Sequence, residues 1–188
     1  MTENVTALNL SHPDPLPEDI QRYYEVCKEK LGIVPNVLTA FGFEPERLRG
    51  FSQMYGALML APSDVTKAER EMIAVVVSAH NHCHYCLVAH GAALRGLTGD
   101  AKLADTIAAN YRHADLTVPQ RAMLDFALKV TRASAEIEEP DRQILRDAGW
   151  SDRAIWDIAE VAAFFNMSNR MSSAVGMRPN DEYYGMAR

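Results

Sequence analysis

Between Thr66 and Ala79 the chain reads TKAEREMIAVVVSA, and this run limits the possible folds more than any other. Thr66 and Glu69 stand at capping-box spacing: the threonine side chain takes the N3 amide and the glutamate reaches back to the N-cap amide. Ile73 to Val77 is the one β-branched run in the chain, yet it lies inside this capped, charged frame. It therefore reads as a helix over roughly residues 67 to 80. No alternating pattern bounded by hairpin turns occurs elsewhere, so the expected fold class is all-α.

The other elements follow from helical spacing and stop signals. Ile20, Tyr23, Tyr24, Cys27 and Leu31 give a helix over 18–31, closed by Gly32. A short helix is expected through Phe41, and one opened by Pro45 runs to about Leu60. A helix from about Cys83 to near Gly96 is followed by helices at 101–110, 119–133, 139–148 and 152–173. Thr117-Val118-Pro119-Gln120 echoes the Thr66 cap and hints at a duplicated helical unit. The expected organisation is an extended arm over 1–17, a single all-helical domain over 18–176, and a tail over 177–188 that is irregular or docked. Pro13, Pro15 and Pro17 mark the arm, a candidate for ordering against a neighbouring subunit.

With 188 residues, 48% of them apolar and 23% charged, the chain can bury a core without staples. A net charge of −6 argues against nucleic-acid or anionic-membrane partners, which need a basic footprint. The opening residues have no basic and apolar leader, and the apolar runs are too short to span a bilayer. The expected compartment is cytoplasmic, which an odd count of three cysteines also fits.

The chemistry concentrates in HNHCHYCLVAH, His80 to His90, which holds four of the six histidines and two of the three cysteines. Zinc is one reading, because Cys83 and Cys86 have CxxC spacing and His90 shares their face. A structural site, however, usually has a second ligand pair some 12 to 20 residues away, and none is present. A dithiol redox centre explains more. A cysteine at a helix start lies among unsatisfied amides at the positive end of the dipole, which stabilises thiolate. Cys86, one turn on, is within disulfide reach of Cys83, and His90 is a further turn along. If 67–80 and 83–95 form an antiparallel hairpin, Glu71 and His90 lie equally far on either side of its turn. Glu71 is then the carboxylate that meets and orients the imidazole. The competing reading makes Glu71 a surface residue paired with Lys67. His80, His82 and His84 read as turn or solvated residues, Cys27 as a buried apolar residue, and Asn166, Asn169 and Arg170 as a packing or subunit-contact stripe.

Glu71, Cys83-x-x-Cys86 and His90, together with Gly32-Ile33-Val34-Pro35-Asn36, Glu69-Arg70-Glu71, Tyr85-Cys86, Ala89-His90, Phe164-Phe165-Asn166 and Asn169-Arg170, form a recognisable pattern. It resembles the alkylhydroperoxidase D-like proteins of the carboxymuconolactone decarboxylase superfamily, in their peroxidase-related branch. The resemblance spans nearly the whole chain after residue 16. It implies a multi-helix bundle with the CxxC at the N-terminus of a central helix, and a hydroperoxide as substrate. It further implies Cys86 as the attacking cysteine, Cys83 as the resolving one, and Glu71 with His90 as the proton relay. The reductant would be a dithiol on a lipoyl-bearing or thioredoxin-like protein. No cofactor or metal is called for, and a homo-oligomer is expected. Family members carry histidine just before the second cysteine; here that residue is Tyr85, whose phenol ordinarily titrates near about 10. Three alternatives stay open: a general thiol–disulfide oxidoreductase, a redox- or zinc-sensing helical protein, and a decarboxylase-like enzyme.

Overall fold

The computed structural model describes residues 5–188, so the first four residues of the expected arm lie outside it. The described residues form helices and no strand. In order these are α1 Glu18–Leu31, α2 Asn36–Phe41, α3 Pro45–Tyr55, α4 Lys67–His80, α5 His84–Thr98, α6 Ala101–Asn110, α7 Val118–Ala133, α8 Glu139–Asp147, α9 Asp152–Ala174 and α10 Glu182–Gly185. Among them, none is long and apolar enough to cross a membrane.

The capped run becomes the hub. Glu69 Oε2 accepts the Thr66 amide at 2.9 Å and Thr66 Oγ1 accepts the Glu69 amide at 3.3 Å, so α4 starts where its sequence says. Every side chain from Arg70 to Ser78 is buried. A helix with no polar face belongs inside a bundle, and α4 packs against α5, α6, α7 and α9. Ile73, Val75 and Val77 are fully buried there, each stabilising the bundle by about 1.5–3 kcal/mol relative to exposure. The β-branched run serves as the centre of a helical core.

The structure departs from the sequence reading between residues 56 and 60. α3 ends as an α-helix at Tyr55 and widens into a π-helical turn over Gly56–Leu60. The buried Arg70 guanidinium takes the carbonyls this turn leaves, with Nη1 donating to Leu58 O at 2.8 Å and to Ala61 O at 2.9 Å. The altered register is therefore held from α4, the same helix that carries Glu71.

The end of the chain is docked. Asn180 Oδ1 accepts the Asn36 amide at 2.8 Å and its Nδ2 donates to Val34 O at 3.0 Å. Buried Arg95 of α5 donates to Tyr183 O at 2.8 Å and to Met186 O at 3.0 Å. The arm folds on its own chain: Ala7 N–H donates to Val175 O, and Arg178 N–H to Val5 O, each at 2.9 Å. These ties bring Met177 and Tyr183 into a second core cluster with Ile33, Cys83, Tyr85 and Cys86.

Candidate active site

The site forms where α4 turns into α5. Asn81 caps the C-terminus of α4, and His82 takes a left-handed conformation at φ 52, which reverses the chain in two residues. Cys83 is the N-cap of α5, and its Sγ accepts the Cys86 amide at 3.4 Å. A sulfur replaces the usual hydroxyl or carboxylate oxygen of a cap. It therefore sits against the unsatisfied amides and the positive end of the helix dipole. Both cysteines are only 1% exposed and both are free thiols.

The two sulfurs titrate as a pair. A hydrogen bond from the Cys86 thiol, reinforced by the Cys86 amide, pulls Cys83 below the ordinary thiol range against the opposing effect of burial. The proton that Cys86 gives to this bond, together with burial and the charge on Cys83, pushes Cys86 far the other way. Within the pair the proton therefore favours Cys86 and the charge favours Cys83 at the cap.

Across the hairpin, His90 Nδ1 lies 2.7 Å from Glu71 Oε2, with side chains 13% and 7% exposed. The buried carboxylate accepts from Nδ1, which leaves Nε2 as the nitrogen available for proton transfer. Phe165 of α9 packs edge-on against the imidazole, ring centroids 4.5 Å apart, and fixes its plane. Glu71 is not the surface partner of Lys67.

α9 supplies contacts that its apolar pattern conceals. Asn81 Nδ2 donates to Asn166 Oδ1 and to Asn169 Oδ1, each at 3.0 Å. Buried Asn169 donates to Ser78 Oγ, also at 3.0 Å. Arg170 Nη1 reaches Asn166 Oδ1 at 2.7 Å. The polar stripe clamps the turn that carries the CxxC. Ser172, one turn beyond Ser168, lies with its Oγ 3.8 Å from Cys86 Sγ. Tyr85 is buried away from water and its hydroxyl accepts the Val37 amide at 3.0 Å. Burial pushes its phenol well above the ordinary range, so it ties α5 to α2 and moves no proton at neutral pH. His84 is exposed and bonds Tyr184 at 2.9 Å. Cys27 is buried in α1, and burial raises its thiol. Among the described residues no group of three or more His, Cys, Asp or Glu side chains is gathered to hold a metal ion.

The model of the carboxymuconolactone decarboxylase family matches residues 45–133, from the start of α3 to the end of α7. A crystal structure of an uncharacterized peroxidase-related protein from Silicibacter sp. TM1040 is 58% identical, with full coverage of both chains and a TM-score of 0.97. This chain belongs to the alkylhydroperoxidase D-like proteins of the carboxymuconolactone decarboxylase superfamily. A second member, an uncharacterized peroxidase-related protein from Ralstonia eutropha JMP134 with an alkylhydroperoxidase AhpD core, is 46% identical. That match covers 98% of this chain and 97% of the other, at a TM-score of 0.94. The debrominase Bmp8, solved as a cysteine-to-alanine variant in complex with 2,3,4-tribromopyrrole, is 18% identical at a TM-score of 0.78, covering 99% and 96% of the two chains; it shares the fold. No curated protein matches. The family and these neighbours point to an enzyme of the alkylhydroperoxidase D and carboxymuconolactone decarboxylase kind.

Proposed function

We propose that this alkylhydroperoxidase D-like protein is a thiol-dependent hydroperoxide reductase that works through the Cys83/Cys86 dithiol. The single observation that carries the reading is the buried 2.7 Å contact between Glu71 and His90, one helical turn from the CxxC dithiol at a helix mouth. A nucleophile, a base and a group that orients the base are the components covalent catalysis needs. The relatives named peroxidase-related support the same direction.

The family resemblance gives the attack to Cys86, whose proton is first taken by His90 Nε2 while Glu71 holds the ring from Nδ1. The Cys86 thiolate then attacks the terminal oxygen of the hydroperoxide. An S–O bond forms, the O–O bond breaks, and the departing alkoxide takes a proton delivered through His90 and Glu71 to leave as alcohol. Cys86 is now a sulfenic acid. Cys83 attacks its sulfur, a disulfide forms, and the departing hydroxide takes a proton from solvent to leave as water. An external dithiol of the lipoyl or thioredoxin class returns two electrons and two protons by thiol–disulfide exchange.

The test is single turnover of the reduced protein with stoichiometric hydroperoxide, expected to consume two thiols per chain and regain them with a dithiol. Cys86→Ser abolishes consumption, whereas Cys83→Ser accumulates a sulfenic acid at Cys86; the acid appearing at Cys83 instead would reverse the roles. The second reading, a general thiol–disulfide oxidoreductase, is favoured by the lowered Cys83 thiol at the cap. Reduced protein that cleaves small disulfides yet is inert to hydroperoxides would select it.

A further inference from the structure

Cys86 has to bear negative charge in order to attack, yet the helix dipole and the thiol–thiol hydrogen bond drive the charge to Cys83. A group that favours the ionised Cys86 must come from outside the CxxC, and α9 carries one. Ser172 is buried, its Oγ lies 3.8 Å from Cys86 Sγ, and it donates to Met177 Sδ at 3.7 Å. The three groups lie in a row of contacts: Cys86 sulfur, Ser172 hydroxyl, Met177 thioether. A hydroxyl is both donor and acceptor and rotates to suit its surroundings, whereas a thioether is a weak acceptor that releases it readily.

We propose that the Ser172 hydroxyl is the hydrogen-bond donor to the attacking sulfur, swinging from Met177 Sδ onto Cys86 Sγ when that thiol gives up its proton. Ser172 touches the reacting atom, and neither the CxxC nor the Glu71–His90 pair supplies this contact. The inference rests on the peroxidase reading only in calling Cys86 the attacking sulfur. The groups around Cys86 are few. Its own helix brings Cys83, Tyr85 and, a turn further on, His90 with Glu71 of α4. α9 brings the neutral Ser172 and Asn169, both of which lower the Cys86 thiol from its raised position, and Ser172 with Ser173 also lowers Cys83. The tail brings Met177 and, near Tyr85, Tyr183.

The swing predicts opposite effects for its two partners. The test uses full-length protein in a Cys27→Ala, Cys83→Ser background, so that Cys86 is the only thiol, with thiolate absorbance followed against pH. Ser172→Ala removes the donor and shifts the titration up, lowering the thiolate fraction at a fixed pH below the midpoint roughly tenfold, as expected for one hydrogen bond to a charged group. Ser172→Thr keeps the hydroxyl and restores the parent curve. Met177→Leu removes the competing acceptor, leaves the hydroxyl to Cys86, and shifts the titration down. This variant conserves volume, so it reports even where Ser172→Ala folds poorly. Ser172→Ala titrating like the parent, or both variants shifting the same way, overturns the proposal. The titration needs no peroxide. Absence of hydroperoxide turnover in the unaltered protein sinks the peroxidase reading while the Ser172 result stands or falls alone.

Discussion

Glu71→Gln is the most direct probe of the relay, because it removes a charge and leaves the shape. The glutamine amide oxygen can still accept from His90 Nδ1, and the 2.7 Å contact sits among buried side chains where the pair has little water to fall back on. A hydrogen bond to a charged group contributes about 1.5–3 kcal/mol, against about 0.5–1.5 for a neutral one. If the difference, about 1–1.5 kcal/mol, is fully expressed in the transition state, the chemical step slows roughly 5- to 12-fold. Burst thiol loss in a stopped-flow mixer, with hydroperoxide in excess, measures that step without the reductant. Thermal unfolding of the variant should stay within a few degrees of the parent, since a neutral hydrogen bond replaces the charged one. A Glu71→Gln protein that folds normally and loses its thiols within twofold of the parent rate would show that the carboxylate only holds the hairpin.

The thiol pair of the reduced protein should make a bell-shaped contribution to stability against pH. Between the lowered Cys83 value and the ordinary thiol value, the unfolded chain holds one more proton than the folded one, so stability rises with pH. Above the ordinary value the unfolded chain sheds both protons while the folded pair keeps the one on Cys86, and stability falls again. Denaturation of the parent minus that of the Cys83→Ser, Cys86→Ser double variant isolates this contribution; a flat difference across the thiol range would remove the shared-proton picture. Asn169→Ala should destabilise by about 1–3 kcal/mol, because Ser78 loses a buried partner and Asn81 one of two. It should also slow thiol loss, since the turn it clamps carries Cys83. Urea denaturation matching the parent would make the clamp ornamental.

Much of this geometry could be read along the chain because it is local. Thr66 and Glu69 announce the start of α4, and the turn at 80–82 makes Glu71 and His90 neighbours by counting. Contacts between distant segments leave no such trace. Ser172 is one small polar residue in an apolar helix, and nothing in its spacing links it to a cysteine 86 positions earlier. Asn166, Asn169 and Arg170 show periodicity, so a packed stripe could be expected, but not that it would grip Asn81. The π-helical turn at Gly56–Leu60 is set by a remote guanidinium on α4, and local propensity carries no sign of it. Cys83 as the cap rather than the first helical residue is a shift of one position, and it sets the Cys83 sulfur against the Cys86 amide.

Sulfurs that water scarcely touches also choose their visitors by calibre. Both sulfurs share a packed cluster with Met177 and Tyr183 of the tail, so the rigid body of another protein brings its own thiol against Cys83 or Cys86 only once the tail leaves its ties to Arg95 and Asn36. Recharging the dithiol then requires either a thread-like arm or a moment when the wall parts. In the second case the rate of that parting, rather than the chemistry at sulfur, becomes the clock for repeated cycles.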